Sequence, residues 1–197
     1  MKHRFAVATI ALALPLAAAA APETYTLDPY HTFLHFEVGH LNGMSKLRGR
    51  FDKVSGKFTI DRAARTGALD ITVQTASIST GDSDKGSRPR SRDEHLRSPD
   101  FFNVAEFPTM TFKSTRVVFK GEVPAVIEGN ATLLGVTKPL SLAVDHWRCG
   151  PNPVSKKEMC GANASGMIKR SDFGMKFGIP GVGDEQQLFA EMEGYKD

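Results

Sequence analysis

From about residue 22 onward the chain alternates between apolar and polar positions. Leu69, Ile71 and Val73 interleave with Asp70, Thr72 and Gln74, and Leu140, Leu142 and Val144 with Ser141, Ala143 and Asp145. Ala131 and Leu133 likewise alternate with Asn130 and Thr132. A period of two marks strands with one wet face and one dry face. Further strands are predicted near Tyr25–Leu27, Phe33–Val38, Leu47–Ile60, Thr109–Lys120, Ala162–Lys169 and Gln186–Tyr195. Gly49, Gly56, Gly129 and Gly166 fall inside or beside these runs and predict sharp bends or bulges. Residues 80–107 break the pattern. A polar, glycine-rich opening leads to a short helix over Arg90–Arg97, which must end before Pro99. Ser98-Pro99-Asp100 then reads as a cap for a second turn carrying Phe101 and Phe102.

These elements predict an all-β fold: about eight antiparallel strands closed into a barrel, with a helical insert around residues 90–103. Closure removes the exposed strand edges. An eight-stranded barrel either fills with its own side chains or holds one small ligand. The expected apolar lining is Phe36, Phe51, Phe58, Phe112, Phe119 and Phe173, with Ile168 and Met175. Val38, Ile71, Val73, Phe102, Leu133 and Leu142 extend that set.

Composition narrows the picture. Residues 1–21 have a basic start, a short apolar run and a small-residue end, the pattern of a secretory signal peptide. Residues 22–197 are then one exported domain, and a periplasmic location is expected. No later run approaches the roughly 18 apolar residues of a membrane helix. Losing Lys2 and Arg4 lowers Lys+Arg from 25 to 23 against 22 acids, so the basic pI is no argument for nucleic acid. Cys149 and Cys160 both lie beyond the leader, where export makes a disulfide the default, stapling a hairpin whose tip holds Pro151, Asn152 and Pro153. Two lone cysteines with no histidine between them do not make a zinc site. His31 and His35, if on one strand, would stand roughly 13 Å apart, and His40 would face the other way. No metal site is expected from that row.

Two stretches run charge directly into apolar and aromatic residues: Arg92-Asp93-Glu94-His95-Leu96 leading to Phe101-Phe102, and Arg170-Ser171-Asp172-Phe173-Gly174-Met175. Charge beside apolar surface suits a molecule with a polar head and a long apolar tail. Together with Leu27-Asp28-Pro29-Tyr30-His31, Phe36-Glu37-Val38-Gly39-His40, Phe107-Pro108-Thr109-Met110-Thr111-Phe112 and the run Gly129–Pro139, they resemble the YceI-like family of periplasmic polyisoprenoid-binding proteins. The resemblance covers essentially the whole chain after the leader. It implies a lipocalin-like barrel whose tunnel holds an isoprenoid, a quinone or another long-chain amphipathic lipid, with no cofactor. It also implies a homodimer. Residues 82–91 are longer than the family usually carries before its Arg-Asp pair, and the cysteine hairpin is an elaboration.

A prenyl tail gains about 0.8 kcal/mol per buried methylene and confers little specificity, so selectivity falls to the head group. Candidates for the polar end are His31, Arg92, Asp93, His95, Arg170 and Asp172. Arginine offers a planar fork of donors for a phosphate or quinone oxygen, with Asp93 and Asp172 as natural partners. The pairs Arg92–Asp93 and Arg170–Asp172 would equally serve as structural salt bridges pinning the insert. A carrier needs no catalytic group. The competing classes are an enzyme that uses His31 or His95 on a bound isoprenoid or quinone, and an outer-membrane barrel. The second would need aromatic girdles, and one Trp with three Tyr is few for two of them.

Overall fold

The alternation is realised as one continuous antiparallel sheet. The computed structural model describes residues 21–197; the expected leader lies almost wholly outside the described residues. The strands are β1 (Glu23–Leu27), β2 (Phe33–His40), β3 (Ser45–Phe51), β4 (Val54–Asp61), β5 (Thr66–Gln74), β6 (Ile78–Ser79), β7 (Thr109–Lys120), β8 (Val123–Leu133), β9 (Val136–Pro151), β10 (Glu158–Lys169) and β11 (Val182–Lys196). Eight of them, β1, β4, β5 and β7 to β11, form a closed ring, because β1 bonds both β4 and β11. Along β5, Leu69, Ile71 and Val73 are buried while Asp70 and Gln74 are exposed. Apolar side chains thus point inward, the reverse of a membrane barrel, whose apolar band faces out. Among the described residues no helix is long and apolar enough to cross a membrane.

β11 is paired by two strands in turn. β1 takes its last residues (Leu27 opposite Gly194) and β2 takes the rest, from Glu191 opposite Phe33 to Val182 opposite His40. Between them the chain breaks at residues 28–32, where Pro29 lacks a backbone donor. Thr32 covers the gap: its Oγ1 donates to the Glu193 carbonyl at 3.2 Å and accepts from the Glu193 N–H at 3.3 Å. β3 and the two-residue β6 extend β2 sideways.

The run expected as one strand over Leu47–Ile60 is two, β3 and β4, broken at Asp52–Lys53. One register shift, Ser114/Arg116 on β7, lies opposite Gly129, as expected of a strand glycine; the others fall at Val118/Phe119, Asn163/Ala164 and Val182/Gln186, not at Gly49, Gly56 or Gly166. A Cβ on Gly49 would come within 2.5 Å of the Phe36 ring, and one on Gly129 within 2.6 Å of the Phe112 ring. These positions are bare so that large rings can lie across the barrel.

The insert seals the side of the barrel near β6. Helix α1 (Arg92–Arg97) starts two residues later than expected, because Ser91 is its N-cap. Ser91 Oγ accepts from the Glu94 N–H and the Glu94 carboxylate accepts from the Ser91 N–H, a capping box. Thr75 Oγ1 donates to the Phe107 carbonyl at 2.7 Å, and Arg97 donates to the carbonyls of Ala76 and Ile78. At the same end, β10 runs into a 3-10 turn (Arg170–Phe173) and a segment that returns to β11. Arg170, 0% exposed, holds that segment down. Its guanidinium donates to the carbonyls of Met175, Phe177, Val182 and Gly183 at 2.8–3.1 Å.

Cys149 and Cys160 face each other across the β9–β10 hairpin and are bonded. Replacing both by serine should lower the unfolding free energy by about 3 kcal/mol, since the loop closes about a dozen residues. Urea denaturation checks this. Arg170→Met leaves four carbonyls without their donor and should cost about 3 kcal/mol or more, with faster hydrogen exchange over residues 174–183.

Candidate binding cavity

Inside the upper half of the barrel lies a void with about 100 Å³ of free space. Its walls are apolar apart from Thr32, Thr111, Thr132 and Gln186. Ten expected lining residues do line it: Phe36, Phe51, Ile71, Val73, Phe102, Phe112, Leu133, Leu142, Ile168 and Phe173. The insert contributes Phe102, whose ring meets Phe51 edge-on at 5.2 Å. The inward row of β11 supplies Gln186, Leu188, Ala190 and Met192.

Four expected lining residues sit elsewhere. Phe58 and Phe119 line a second void of about 30 Å³ toward the other end, with Trp147 and Ile127. Phe58 is held there by stacking on Tyr25 at 4.8 Å and by an edge contact with Trp147 at 5.7 Å. Burial and the Glu23 carboxylate push the Tyr25 phenol up to about 12. Met192 borders both voids. Val38 and Met175 are buried in the core and border neither void.

The six expected head-group residues do not line the large void, and the physical reasons differ. His31 is exposed in the turn before β2, where its Nδ1 lies 2.8 Å from Asp28 Oδ2 and 4.0 Å from Glu193 Oε2. The Asp28 hydrogen bond raises the His31 pKa. Burial works upward on Asp28, but hydrogen bonds from His31 and the Tyr30 N–H outweigh it and hold this carboxyl low. Asp28, His31 and Glu193 are the described group of side chains close enough to share a metal ion. His35 lies on the outer face, 3.4 Å from Glu191.

Neither expected arginine–aspartate pair forms. Arg92 lies 3.5 Å from Asp82, and the Arg88 fork also grips that carboxylate, so residues 82–91 fold as a self-bonded surface loop. Asp93 is buried and accepts from Thr80 N and Oγ1 at 2.8 and 2.7 Å, tying helix to sheet. His95 Nε2 lies 2.9 Å from Asp100, which Arg90 also contacts. Those contacts, Arg90 first, hold the Asp100 carboxyl low. The His95 ring packs on Phe101 and Phe177 at 4.9 and 5.0 Å, outside the void. Arg170 is spent on carbonyls, with Phe101 5.8 Å below its guanidinium. Burial lowers its pKa, opposed by Asp184. Asp172 is exposed; the carboxylate at this turn is Asp184, which accepts from Ser171 N and Oγ.

The charge clusters at Asp93 and Arg170 are structural ties. The polar residues that do border the void, Thr32, Thr111, Thr132 and Gln186, are uncharged and belong to none of those clusters. Parity could have found Gln186: it shares the inward phase of Leu188, Ala190 and Met192.

The same architecture occurs in known proteins. A model of the YceI-like domain matches residues 25–194. A relative from Pseudomonas aeruginosa is 35% identical over 199 residues, covering 100% of this chain and 99% of its own. Protein YceI of Salmonella arizonae is 35% identical, with 98% of each chain covered. The crystal structure of the YCEI protein of Campylobacter jejuni is 28% identical and covers 78% of this chain and 87% of its own, with a TM-score of 0.65. A polyisoprenoid-binding domain from Saccharophagus degradans is 17% identical and shares the fold, with a TM-score of 0.61 over 88% of this chain and 98% of its own. A barrel closed by β1, an apolar void in its upper half and matches of this extent together place the chain in the YceI-like family.

Proposed function

We propose that this chain binds and carries an amphipathic lipid, an isoprenoid or similar long-chain molecule, inside the barrel. The observation that carries the reading is the large void, walled by aromatic and aliphatic carbon within a shell that turns its polar residues outward. The Saccharophagus domain of the same fold, which binds polyisoprenoid, supports it. The pattern of residues 1–21 and the disulfide support a periplasmic location.

The free space sets a condition on binding. A dry apolar cavity of about 150 Å³ is enough for benzene. The 100 Å³ seen here is smaller, so a lipid tail enters only by moving side chains. Met110 and Met192 are suited to yield, because methionine is unbranched and has three rotatable bonds. Burying apolar carbon at about 0.8 kcal/mol per methylene supplies the energy, offset by ordering the tail.

Binding rather than turnover fits the walls. Both histidines offered by the sequence for acid–base chemistry, His31 and His95, lie outside the void, and its polar groups are threonine hydroxyls and one amide. None of these titrates near neutral pH.

Mass spectrometry of an organic extract from gently purified protein should reveal a long-chain lipid in near-stoichiometric amount. An empty extract, together with no thermal stabilisation by added prenyl lipids, refutes the reading. Phe112→Leu should leave the protein folded and weaken lipid retention severalfold, and Phe112→Asp should abolish retention or collapse the barrel. Equal loading of wild type and a folded polar variant would show that Phe112 makes no contact with the ligand.

A further inference from the structure

A row of histidines along one strand cannot share an ion, but the turn before β2 gathers a different set of donors. Asp28 Oδ2, His31 Nδ1 and a Glu193 carboxylate oxygen all lie within 4.8 Å of one another. The His31 nitrogen is 2.8 Å from Asp28 and 4.0 Å from Glu193. The backbone holds these residues together. Asp28 N donates to the Glu193 carbonyl at 2.8 Å, and Thr32 Oγ1 bonds both backbone groups of Glu193. The break at 28–32 is thereby fastened onto the residue of β11 that carries the third donor. Asp28 is oriented in turn by the Tyr30 N–H, which donates to its other oxygen at 2.9 Å.

Two carboxylates converge here on one imidazole. Among the described residues, neither Asp28 nor Glu193 pairs with a lysine or arginine; the contact each makes is with His31. Even a charged imidazole leaves one negative charge over, and a divalent cation cancels both. One imidazole nitrogen with two carboxylate oxygens suits a borderline first-row ion such as zinc. Calcium takes six to eight oxygens and gains little from the ring. Zinc holds such donors at about 2.0–2.2 Å, which sets them about 3.3 Å apart around a tetrahedral ion. The donors that must shift to reach that spacing are the free ones. The side chains of His31 and Glu193 are 62% and 40% exposed, while that of Asp28 is 11% exposed. Opposite Glu193 on β10 stands Gly161, which has no side chain to block the approach. The groove outside, bordered by His146 and Asn163, leaves the remaining coordination positions to water.

We propose that Asp28, His31 and Glu193 form a binding site for a divalent metal ion of the zinc class on the outer wall of the barrel. The ion acts as a clip. It fastens the crossing between β1 and β2 to β11 through side chains, beside the bonds of Thr32. The site is separate from the interior void and does not depend on what the barrel carries.

Isothermal titration of untagged, EDTA-stripped protein with zinc chloride tests this. Wild type should take up one equivalent per chain, and millimolar calcium should not compete. His31→Ala, Asp28→Asn and Glu193→Gln should each weaken zinc binding at least tenfold, since loss of a mere supporting partner already costs that much. All three should fold: His31 is exposed, Asp28→Asn keeps an oxygen for the Tyr30 N–H, and Glu193→Gln keeps the backbone bonds to Thr32. His40→Ala, at the far end of β2, should bind as wild type does. Zinc should raise the Tm of wild type and slow hydrogen exchange over residues 28–32, and should do neither in His31→Ala. Absence of stoichiometric uptake overturns the proposal. So does undiminished affinity in His31→Ala, or an equal loss in His40→Ala, which would mark adsorption to surface histidines.

Discussion

Everything else in this protein depends on the closing of the sheet on itself. Once β1 bonds both β4 and β11, every second residue of the ring is committed to the interior and every other one to solvent. Burial and cavity shape follow from that parity. Closure also leaves the main ring without an unpaired edge, the usual hazard of an all-β protein. The remaining weak place is beside β6, and the insert from Thr75 to Pro108 is bonded across it by Thr75, Thr80 and Arg97.

The interior is divided between packing and space. Toward the end where β1 closes the ring, Tyr25 stacks on Phe58, Trp147 meets Phe58 edge-on, and about 30 Å³ is left free. In the upper half, Phe51 meets Phe36 and Phe102, Phe112 borders the same void, and more room is left. Aromatic rings are suited to this, since they are rigid and cover much surface at low entropic cost. Glycines opposite two of them, Gly49 and Gly129, provide the clearance.

Much of the fold was legible in the sequence, because alternation reports directly on which face is buried. Leu69, Ile71 and Val73 are the plainest instance. The strand break at Asp52–Lys53 left a faint mark, two adjacent polar residues that switch the inward parity between Phe51 and Val54, and so short an interruption is also what a bulge within one strand would show. Most of the apolar lining was also foreseeable, but Phe58 and Phe119 share its parity and differ only in position along the barrel, which periodicity does not encode. The charged candidates lie outside the void for a different reason. Arg170 and Asp93 are charges beside apolar residues in the sequence, and that is also how a protein ties a loop or helix to its core. Sequence shows the juxtaposition and leaves out which partner satisfies the charge. For Arg170 the partners are carbonyls, which every residue carries and no motif marks.

The handover along β11 has a mechanical consequence. Because β1 pairs with the last residues of β11 and β2 with residues 182–191, two short strands cover an edge that neither could span alone. The five-residue break at 28–32 is where the chain crosses from one to the other, and the paired bonds between Thr32 and Glu193 bridge it. A wall assembled from two lengths thus stays as continuous as one made from a single strand.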